Sequence, residues 1–251
     1  MNWKERFFAA FVHFGASLCV AALAAVLVFG IWYPYPYREI SGGRELFLIV
    51  VSVDIVLGPL VTLAIFNRAK GWKVLSRDLA VVALIQLAGL SYGLWTVFVA
   101  RPVHLVWEYN RLRVVHAIEV PPELLHTTAA NVDAMPLFGP SMLSLRPFKN
   151  NKEMADATIA DIGGTPLASR PDLWQPYAAA KSEIQKEAKP VSALLKRFPA
   201  QSEAIGKVVR DSGRTAETLS WVPMIGRKTF WTAFIDPQTT EVLAFLPIDS
   251  F

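Results

Sequence analysis

The side chains most often used for metal binding and nucleophilic catalysis are few in this chain of 251 residues. Its four histidines and single cysteine do not fall in the spacing of a catalytic or zinc-binding motif: His13, Cys19, His104, His116 and His126. There is no H-E-x-x-H or G-x-S-x-G sequence, and one cysteine in an apolar segment provides neither an intrachain disulfide nor a thiolate metal site. We therefore predict no enzyme activity, no cofactor and no metal site, and expect structural or surface roles for the last three histidines.

One acidic residue has an unusual position, because Asp54 lies inside an apolar segment that spans residues 46–66. About 20 apolar residues, each rising roughly 1.5 Å, are enough to cross a bilayer. A carboxylate there costs roughly 2.5–3.5 kcal/mol on insertion scales, so Asp54 is expected to face other helices. Gly58 lies one turn further along the same face, and Pro59 leaves the carbonyl near Ile55 without its helical donor. We predict that this helix is the inner member of a small bundle.

Other apolar segments contain three more polar candidates for the same face, namely His13, Gln86 and Tyr92. Asp54 and Tyr92 have similar depths, roughly 12 Å from one boundary, which would allow a hydrogen bond between them. Gln86 lies near the midplane and is within reach of a carbonyl freed by Pro59 or of a guest helix. His13 lies near the end of its segment, where an interfacial position is the alternative. The sequence leaves open whether these residues hold the bundle together, contact a partner or form a proton path.

Three apolar segments predict three transmembrane helices, at about residues 9–32, 46–66 and 79–100. Lys4 and Arg6 precede the first segment, as they would in a signal peptide. Its apolar run is longer than the 7–15 residues of a signal-peptide core, so we expect it to remain attached.

The basic residues of the short loops predict the topology. Lys4 and Arg6 lie before the first helix, and four more basic residues lie between the second and third: Arg68, Lys70, Lys73 and Arg77. Such residues concentrate on the cytoplasmic side, which places both segments inside the cell and the C terminus outside. We therefore predict a membrane domain at residues 1–102 and a domain at residues 103–251 that is periplasmic or extracellular.

The composition fits this division. Hydrophobic residues make up 53% of the chain and charged residues 18%. Residues 1–100 contain eight Lys and Arg against five Asp and Glu, so most of the net charge of +4 belongs to the membrane half. The basic balance therefore reflects membrane topology, and we predict no nucleic-acid partner.

The pattern after residue 102 predicts an α+β domain with a small antiparallel sheet. A hairpin is expected over residues 104–115, and three strands are expected at about 218–222, 229–235 and 240–246. Helices are predicted at about 173–198 and 199–211. Residues 121–170 are rich in Pro, Asn, Gly and Ser and give no clear pattern. Three aromatic residues are candidates to anchor a partner, with burial in the core as the alternative: Trp174, Tyr177 and Trp231.

Several short segments and the last hairpin form a recognisable set: Val53–Leu63, Asp78–Ala80, Gln86–Leu87, Tyr92–Gly93, Arg101–Val103 and Asp236–Leu243. Together they resemble the TfpX/TfpZ family of type IV pilin accessory proteins, which is related to FimB-type proteins. The resemblance implies an inner-membrane protein, without catalytic residues, that helps a cognate type IV major pilin to be stable or to assemble. Its expected partners are that pilin and the lipid bilayer, and the sequence leaves self-association open.

A mechanism follows as a hypothesis. A type IV pilin waits in the membrane as one apolar helix, with a glutamate near its cytoplasmic end and a globular head outside. A chaperone for it needs a groove in the bilayer and a surface outside. We expect partner choice in the outer domain, because apolar helices in lipid discriminate poorly between similar partners. The alternatives are a membrane enzyme that modifies pilin or a lipid-linked glycan, and a generic envelope scaffold.

Overall fold

A computed structural model describes residues 3–251 and divides into two units. The first unit, which we call the membrane bundle, contains the residues up to Arg38 together with Gly42–Ala100. The second unit, which we call the C-terminal domain, contains Arg101–Phe251 and the short segment Glu39–Ser41. The second unit therefore includes a short segment that lies in the sequence between the two parts of the first unit.

The membrane bundle consists of three long helices, which makes the prediction of three such helices correct. They are α1 (Trp3–Leu27, continued by a π-helical turn at Val28–Trp32), α3 (Gly43–Ile65) and α4 (Trp72–Val99). A single turn, α2 (Tyr37–Ile40), lies between the first two. All three long helices are apolar and long enough to cross a membrane. Each begins several residues before its predicted span, because the apolar length marks the part that fits in lipid and the helix continues into the polar flank.

The central helix of the bundle is α3, which packs against both α1 and α4. Glycine permits close approach on the α4 side, since a Cβ at Gly93 would lie 2.4 Å from Cγ1 of Val50. Near the end of α3, Arg6 of α1 donates hydrogen bonds to the carbonyls of Leu63 (3.4 Å) and Ala64 (3.3 Å). These carbonyls belong to the last turn of α3, where the helix itself supplies no donors.

The C-terminal domain is built on one eight-stranded mixed sheet. Its strands are β1 (Pro102–Glu108), β2 (Arg111–His116), β3 (Ser141–Leu145), β4 (Trp174–Pro176), β5 (Lys189–Pro190), β6 (Ser220–Ile225), β7 (Phe230–Ile235) and β8 (Val242–Leu246). The order is β4-β3-β1-β2-β6-β7-β8, and β5 pairs with β6. The hairpins β1–β2, β6–β7 and β7–β8 are antiparallel, as expected.

The prediction of a small, purely antiparallel sheet is wrong in this respect: β1 pairs in parallel with β3, and β2 pairs in parallel with β6. A hairpin can be recognised from adjacent sequence because a tight turn joins its strands. Parallel partners need long crossover connections, so nothing near β2 indicates that β6 will lie beside it.

The helices of this domain are short: α5 (Asn151–Ile162), α6 (Lys181–Glu187), α7 (Val191–Arg197) and α8 (Ser202–Asp211). The predicted helix at 173–198 is wrong at its start, where β4 pairs with β3 and Pro176 ends the strand. Residues 121–170, which gave no pattern, contain β3 and α5. A capping signal for α5 was present in the sequence, since the side chain of Asn150 accepts a hydrogen bond from the backbone N–H of Glu153 (2.9 Å).

Two hydrophobic clusters support the sheet. One surrounds β1 and β3 and includes Val106, Leu143 and Trp174. The other lies around β6 and β7, where Trp221 and Phe234 pack with residues of α7 and α8. The C-terminal domain thus has a core of its own.

Candidate functional site

A groove opens in the membrane bundle, lined by residues of α1, α3 and α4. It consists of one cavity of about 200 Å³ and another of about 720 Å³, which share three lining residues: His13, Ala16 and Ala83. The shared residues make the two cavities parts of one groove. Both walls contain alanine, so a bulky neighbour can approach the helix backbones closely.

Asp54 lies in the smaller cavity of this groove and is half-buried. Its backbone carbonyl accepts a hydrogen bond from Nε2 of Gln86 (3.3 Å). Within residues 3–251, its carboxyl group has neither a hydrogen bond nor an ion pair. The cost of placing this carboxyl group in an apolar environment is therefore not offset inside the described chain.

Gly58 and Gln86 are in direct contact. A Cβ at position 58 would lie 2.0 Å from Nε2 of Gln86, so only glycine leaves room for this amide. The sequence predicted that Gln86 could reach the carbonyl freed by Pro59, which is that of Ile55. The structure instead directs the amide to the carbonyl of Asp54, one residue earlier. Pro59 lies inside α3 and does not line the groove.

His13 belongs to both parts of the groove and joins two helices. Its Nδ1 lies 2.5 Å from Oγ1 of Thr62, near the end of α3. The other ring nitrogen has no hydrogen bond within the described residues. His13 and Asp54 are therefore two titratable side chains in a largely apolar groove, to which Arg68 adds a charged side chain in the larger cavity.

Tyr92 lies outside the groove and does not pair with Asp54. Its side chain is 69% exposed, and its ring packs on Trp95 at a centroid distance of 5.8 Å. Six residues separate it from Gln86, which corresponds to about 240° around a helix. Similar depth in the membrane was therefore not enough, because Tyr92 and Gln86 lie on different faces of α4.

The histidines of the C-terminal domain have structural surroundings. His104 is fully buried, with Nδ1 2.7 Å from Oγ of Ser141 and Nε2 3.0 Å from the carbonyl of Ala134. A carbonyl only accepts, so Nε2 carries the proton and Nδ1 accepts from the serine hydroxyl. Burial lowers the pKa of His104 to about 4, which keeps the ring neutral at pH 7.

His116 is also buried, and its Nδ1 lies 3.2 Å from Oε2 of Glu119, whereas His126 is exposed. Hydrogen bonds from His116 lower the pKa of Glu119 against the opposing effect of burial. Among residues 3–251, no three His, Cys, Asp or Glu side chains are grouped as metal ligands.

The three aromatic candidates are largely inside the C-terminal domain. Trp174 is 2% exposed and donates from Nε1 to the carbonyl of Ala168 (2.8 Å), and Trp231 is 6% exposed. Tyr177 is half-buried and donates to the carbonyl of Thr240 (3.0 Å), while burial raises its pKa to about 12. None of the three presents a freely exposed ring.

The C-terminal domain has a cavity that the sequence did not indicate. Its volume is about 540 Å³, and its lining includes Trp107, Phe148 and Lys149. Trp107 is 1% exposed, and its indole N–H has no hydrogen-bond acceptor within the described residues. Arg146, which also lines the cavity, forms an ion pair with Glu153 (2.6 Å). The hydrogen bond from Arg146 lowers the pKa of Glu153 to about 2.

Comparison with known proteins finds a family model and full-length relatives that match this chain. A family model described as fimbrial assembly protein FimB matches residues 1–42. The fimbrial assembly protein of serogroup I from Dichelobacter nodosus is 31% identical over 256 aligned residues, which cover 100% of this chain and 99% of that protein. The serogroup E1 protein of the same organism is 30% identical over the same lengths. The chain belongs to the FimB family of fimbrial assembly proteins.

Further FimB relatives match shorter parts of the chain. The protein of serogroups C1 and C2 is 40% identical over 118 residues, which cover 46% of this chain and 90% of that relative. No solved structure matches. The FimB family match at residues 1–42 contains α1 and therefore includes one wall of the groove, with His13.

Proposed function

We propose that this protein acts in fimbrial assembly as an accessory protein of a cognate type IV major pilin, as the resemblance to the TfpX/TfpZ family implies, and that it holds the transmembrane helix of that pilin. The observation that carries the proposal is the groove of the membrane bundle, in which the Asp54 carboxyl group has no partner within the described chain. Full-length relatives with the printed name fimbrial assembly protein support the biological context.

The shape of the groove suits a single apolar helix. Its lining combines alanines with aliphatic side chains, among them Ala16, Ala83 and Leu87. Helices in lipid associate through close packing and a few polar contacts, since the surrounding lipid is as apolar as their side chains. A guest helix would replace lipid in the groove and pack against residues of three helices at once.

The polar groups of the groove would fix the position of the guest. Asp54 would accept a hydrogen bond from a hydroxyl or amide of the guest helix, which offsets part of the cost of the carboxyl group. His13 lies nearer the end that we expect to be cytoplasmic and would contact the glutamate of the pilin helix. Two contacts at different depths would set both the register and the rotation of the guest.

Site-specific photocrosslinking in native membranes tests this proposal. A photoreactive residue at Leu87, which lines the groove and is 57% exposed, should crosslink to the major pilin. The control is Ile85, which is 67% exposed and lies about 200° away around α4, outside the groove. Equal pilin crosslinking at both positions, or none at Leu87, would contradict the groove as the binding site.

The alternatives predict different partners. A membrane enzyme acting on a lipid-linked glycan would copurify with glycan enzymes, and a generic scaffold would copurify with neither those enzymes nor pilin. We propose a non-catalytic role. Affinity purification from native membranes followed by mass spectrometry separates these cases, and enrichment of the major pilin is the expected result.

The proposed location is the bacterial inner membrane, with the C-terminal domain in the periplasm. The support is the concentration of basic residues before α1 and between α3 and α4, including Arg68 and Lys70. Alkaline phosphatase fused after Phe251 should be active, and a fusion at Gly71 should be inactive. The opposite pattern would invert the topology.

Partner choice is proposed to reside in the C-terminal domain, where the cavity lined by Trp107 and Lys149 can receive part of a pilin head. A chimera of residues 1–102 with the C-terminal domain of a relative that serves another pilin tests this assignment. Its preference should follow the C-terminal domain, and a preference that follows residues 1–102 would contradict it.

A further inference from the structure

One end of the sheet in the C-terminal domain is tied to the membrane helices by the chain itself. Arg101, immediately before β1, is two residues beyond Val99, the last residue of α4. Adjacent Cα atoms are about 3.8 Å apart, so Arg101 lies within roughly 8 Å of the end of this helix. We call this end of the sheet the Arg101 end.

A second chain connection reaches the same end. Ile40, which belongs to the C-terminal domain, is three residues before the start of α3 and is fully buried. It packs on Gly226 in the β6–β7 turn, where a Cβ would lie 2.1 Å from Cγ1 of Ile40. The strand β6 runs parallel to β2, which ends at His116 beside Pro102, so the β6–β7 turn is directed toward the Arg101 end.

Large apolar side chains are exposed at this end. The backbone carbonyl of Arg101 accepts a hydrogen bond from the N–H of Ala117 (2.9 Å), and its guanidinium group donates one to the carbonyl of Pro136 (3.3 Å). Ile118 follows Ala117 in the sequence and is 63% exposed. Leu137 and Phe138 follow Pro136 and are 55% and 77% exposed. The loops that contain these three residues are therefore held beside Arg101.

Positive charge accompanies the apolar residues. Arg227 and Lys228 are exposed in the β6–β7 turn and have no ion pair within the described residues. Phe230, which begins β7 in the same turn region, is 48% exposed. Exposed apolar and aromatic residues beside cations are the combination that binds the interface of an anionic bilayer.

We propose that the Arg101 end of the sheet is a lipid-binding surface, in which Leu137 and Phe138 enter the interfacial layer and Arg227 and Lys228 contact the phosphates of anionic phospholipids. The surface holds the C-terminal domain against the bilayer independently of any pilin. Insertion of side chains at such surfaces reaches roughly 5–10 Å into the boundary between headgroups and acyl chains.

A depth measurement on the full chain tests this surface. The exposed Cys19 is first replaced by serine, and Phe138→Cys is then labelled with an environment-sensitive fluorophore in vesicles of phosphatidylethanolamine and phosphatidylglycerol. The matched control is Asn110→Cys in the exposed β1–β2 turn, which is roughly 25 Å from Arg101 along the strand. Lipids with a nitroxide near the headgroup should quench the label at residue 138 several-fold more than the label at residue 110.

The electrostatic part has its own readout. Replacing both cations, Arg227→Gln with Lys228→Gln, should reduce quenching at residue 138 toward the level seen in vesicles of phosphatidylcholine alone. Quenching at residue 138 that does not exceed quenching at residue 110 would overturn the proposal, and would leave a protein partner as the cover of this end. Quenching that is unaffected by both the double variant and the lipid charge would overturn the role of the cations.

Discussion

The membrane bundle and the C-terminal domain use apolar side chains in different ways. In the C-terminal domain, Trp107, Trp221 and Phe234 are each 2% exposed or less. In the bundle, only 11–22% of the residues in the apolar windows of the three helices are buried, and side chains such as Leu57 are 55% exposed. Burial of apolar side chains away from water is favourable, which explains the first set. Lipid is as apolar as these side chains, so transfer from lipid into the bundle interior gains no hydrophobic free energy. Exposed apolar surface in the bundle is therefore available to lipid and, under the proposed function, to a guest helix.

The two regions also differ in how polar groups are satisfied. His104 is buried in the C-terminal domain with contacts at both ring nitrogens, which are what a stable core requires. The Asp54 carboxyl group lies in the most apolar part of the protein without a partner in the described chain. A polar group left unsatisfied where this costs most is a better candidate for partner binding than one that is fully hydrogen-bonded.

The largest expected effect tests the contrast in apolar packing. Phe234→Ala removes a fully buried ring and should lower the free energy of unfolding of the C-terminal domain by about 3–5 kcal/mol. Leu57→Ala should change the stability of the bundle by less than about 0.5 kcal/mol, because its side chain faces outward. Pulse proteolysis of the purified full chain over a urea series measures the first change, and unfolding in detergent followed by circular dichroism measures the second. Equal costs would mean that Leu57 is packed inside the bundle and does not face outward.

The next largest effect is a dependence of the stability of the C-terminal domain on pH. The pKa of His104 is about 4 when folded and about 6.5 ordinarily, so its stabilising contribution is complete above pH 6.5 and is lost as the pH falls toward 4. At 1.36 kcal/mol per unit of pKa, the loss reaches about 3 kcal/mol. His104→Gln should reduce the change of the urea unfolding midpoint between pH 6.5 and 4. His126→Gln, at an exposed position, should leave that change as it is in the wild type.

Carboxylates add to acid sensitivity at lower pH. Glu153 has a pKa of about 2, held down first by the hydrogen bond from Arg146, so its contribution is lost as the pH falls below its ordinary value of 4.5. A His104→Gln profile that remains as steep as the wild-type profile above pH 4.5 would contradict the assignment to His104.

A smaller effect concerns helix packing in the bundle. Gly93→Ala places a methyl group 2.4 Å from Val50 and should destabilise the bundle by about 1–3 kcal/mol. Gly89→Ala is one turn away on α4, meets nothing within 4 Å, and should be neutral or slightly stabilising through helix propensity. Unfolding of the two variants in detergent with increasing sodium dodecyl sulfate provides the comparison. If both are neutral, α3 and α4 do not require this close approach.

The smallest expected change in stability is at Asp54. Asp54→Asn keeps the size of the side chain and removes its charge, and no partner within the described chain is lost, so the change should be below about 1 kcal/mol. We nevertheless expect Asp54→Asn and Asp54→Ala to reduce piliation and crosslinking of pilin at Leu87. Normal accumulation with full piliation in both variants would remove Asp54 from the proposed site.

The sequence alone determined the features that depend on local patterns. Apolar length defined the three long helices, and a single carboxylate in such a segment identified Asp54. Hairpins were found because a short turn joins their strands, as between β7 and β8, where Asp236 accepts backbone hydrogen bonds from Gln238 (2.8 Å) and Thr239 (3.0 Å). These features can be read from a few adjacent residues.

Only the tertiary structure decided which distant residues meet. It directed Gln86 to the carbonyl of Asp54, turned Tyr92 away from the groove and paired β2 with β6. The physical reason is that hydropathy gives the depth of a residue in the membrane but does not give the rotation of its helix against a neighbour. In the same way, alternation along a strand defines its two faces, whereas its neighbour in the sheet depends on contacts across more than a hundred residues of chain.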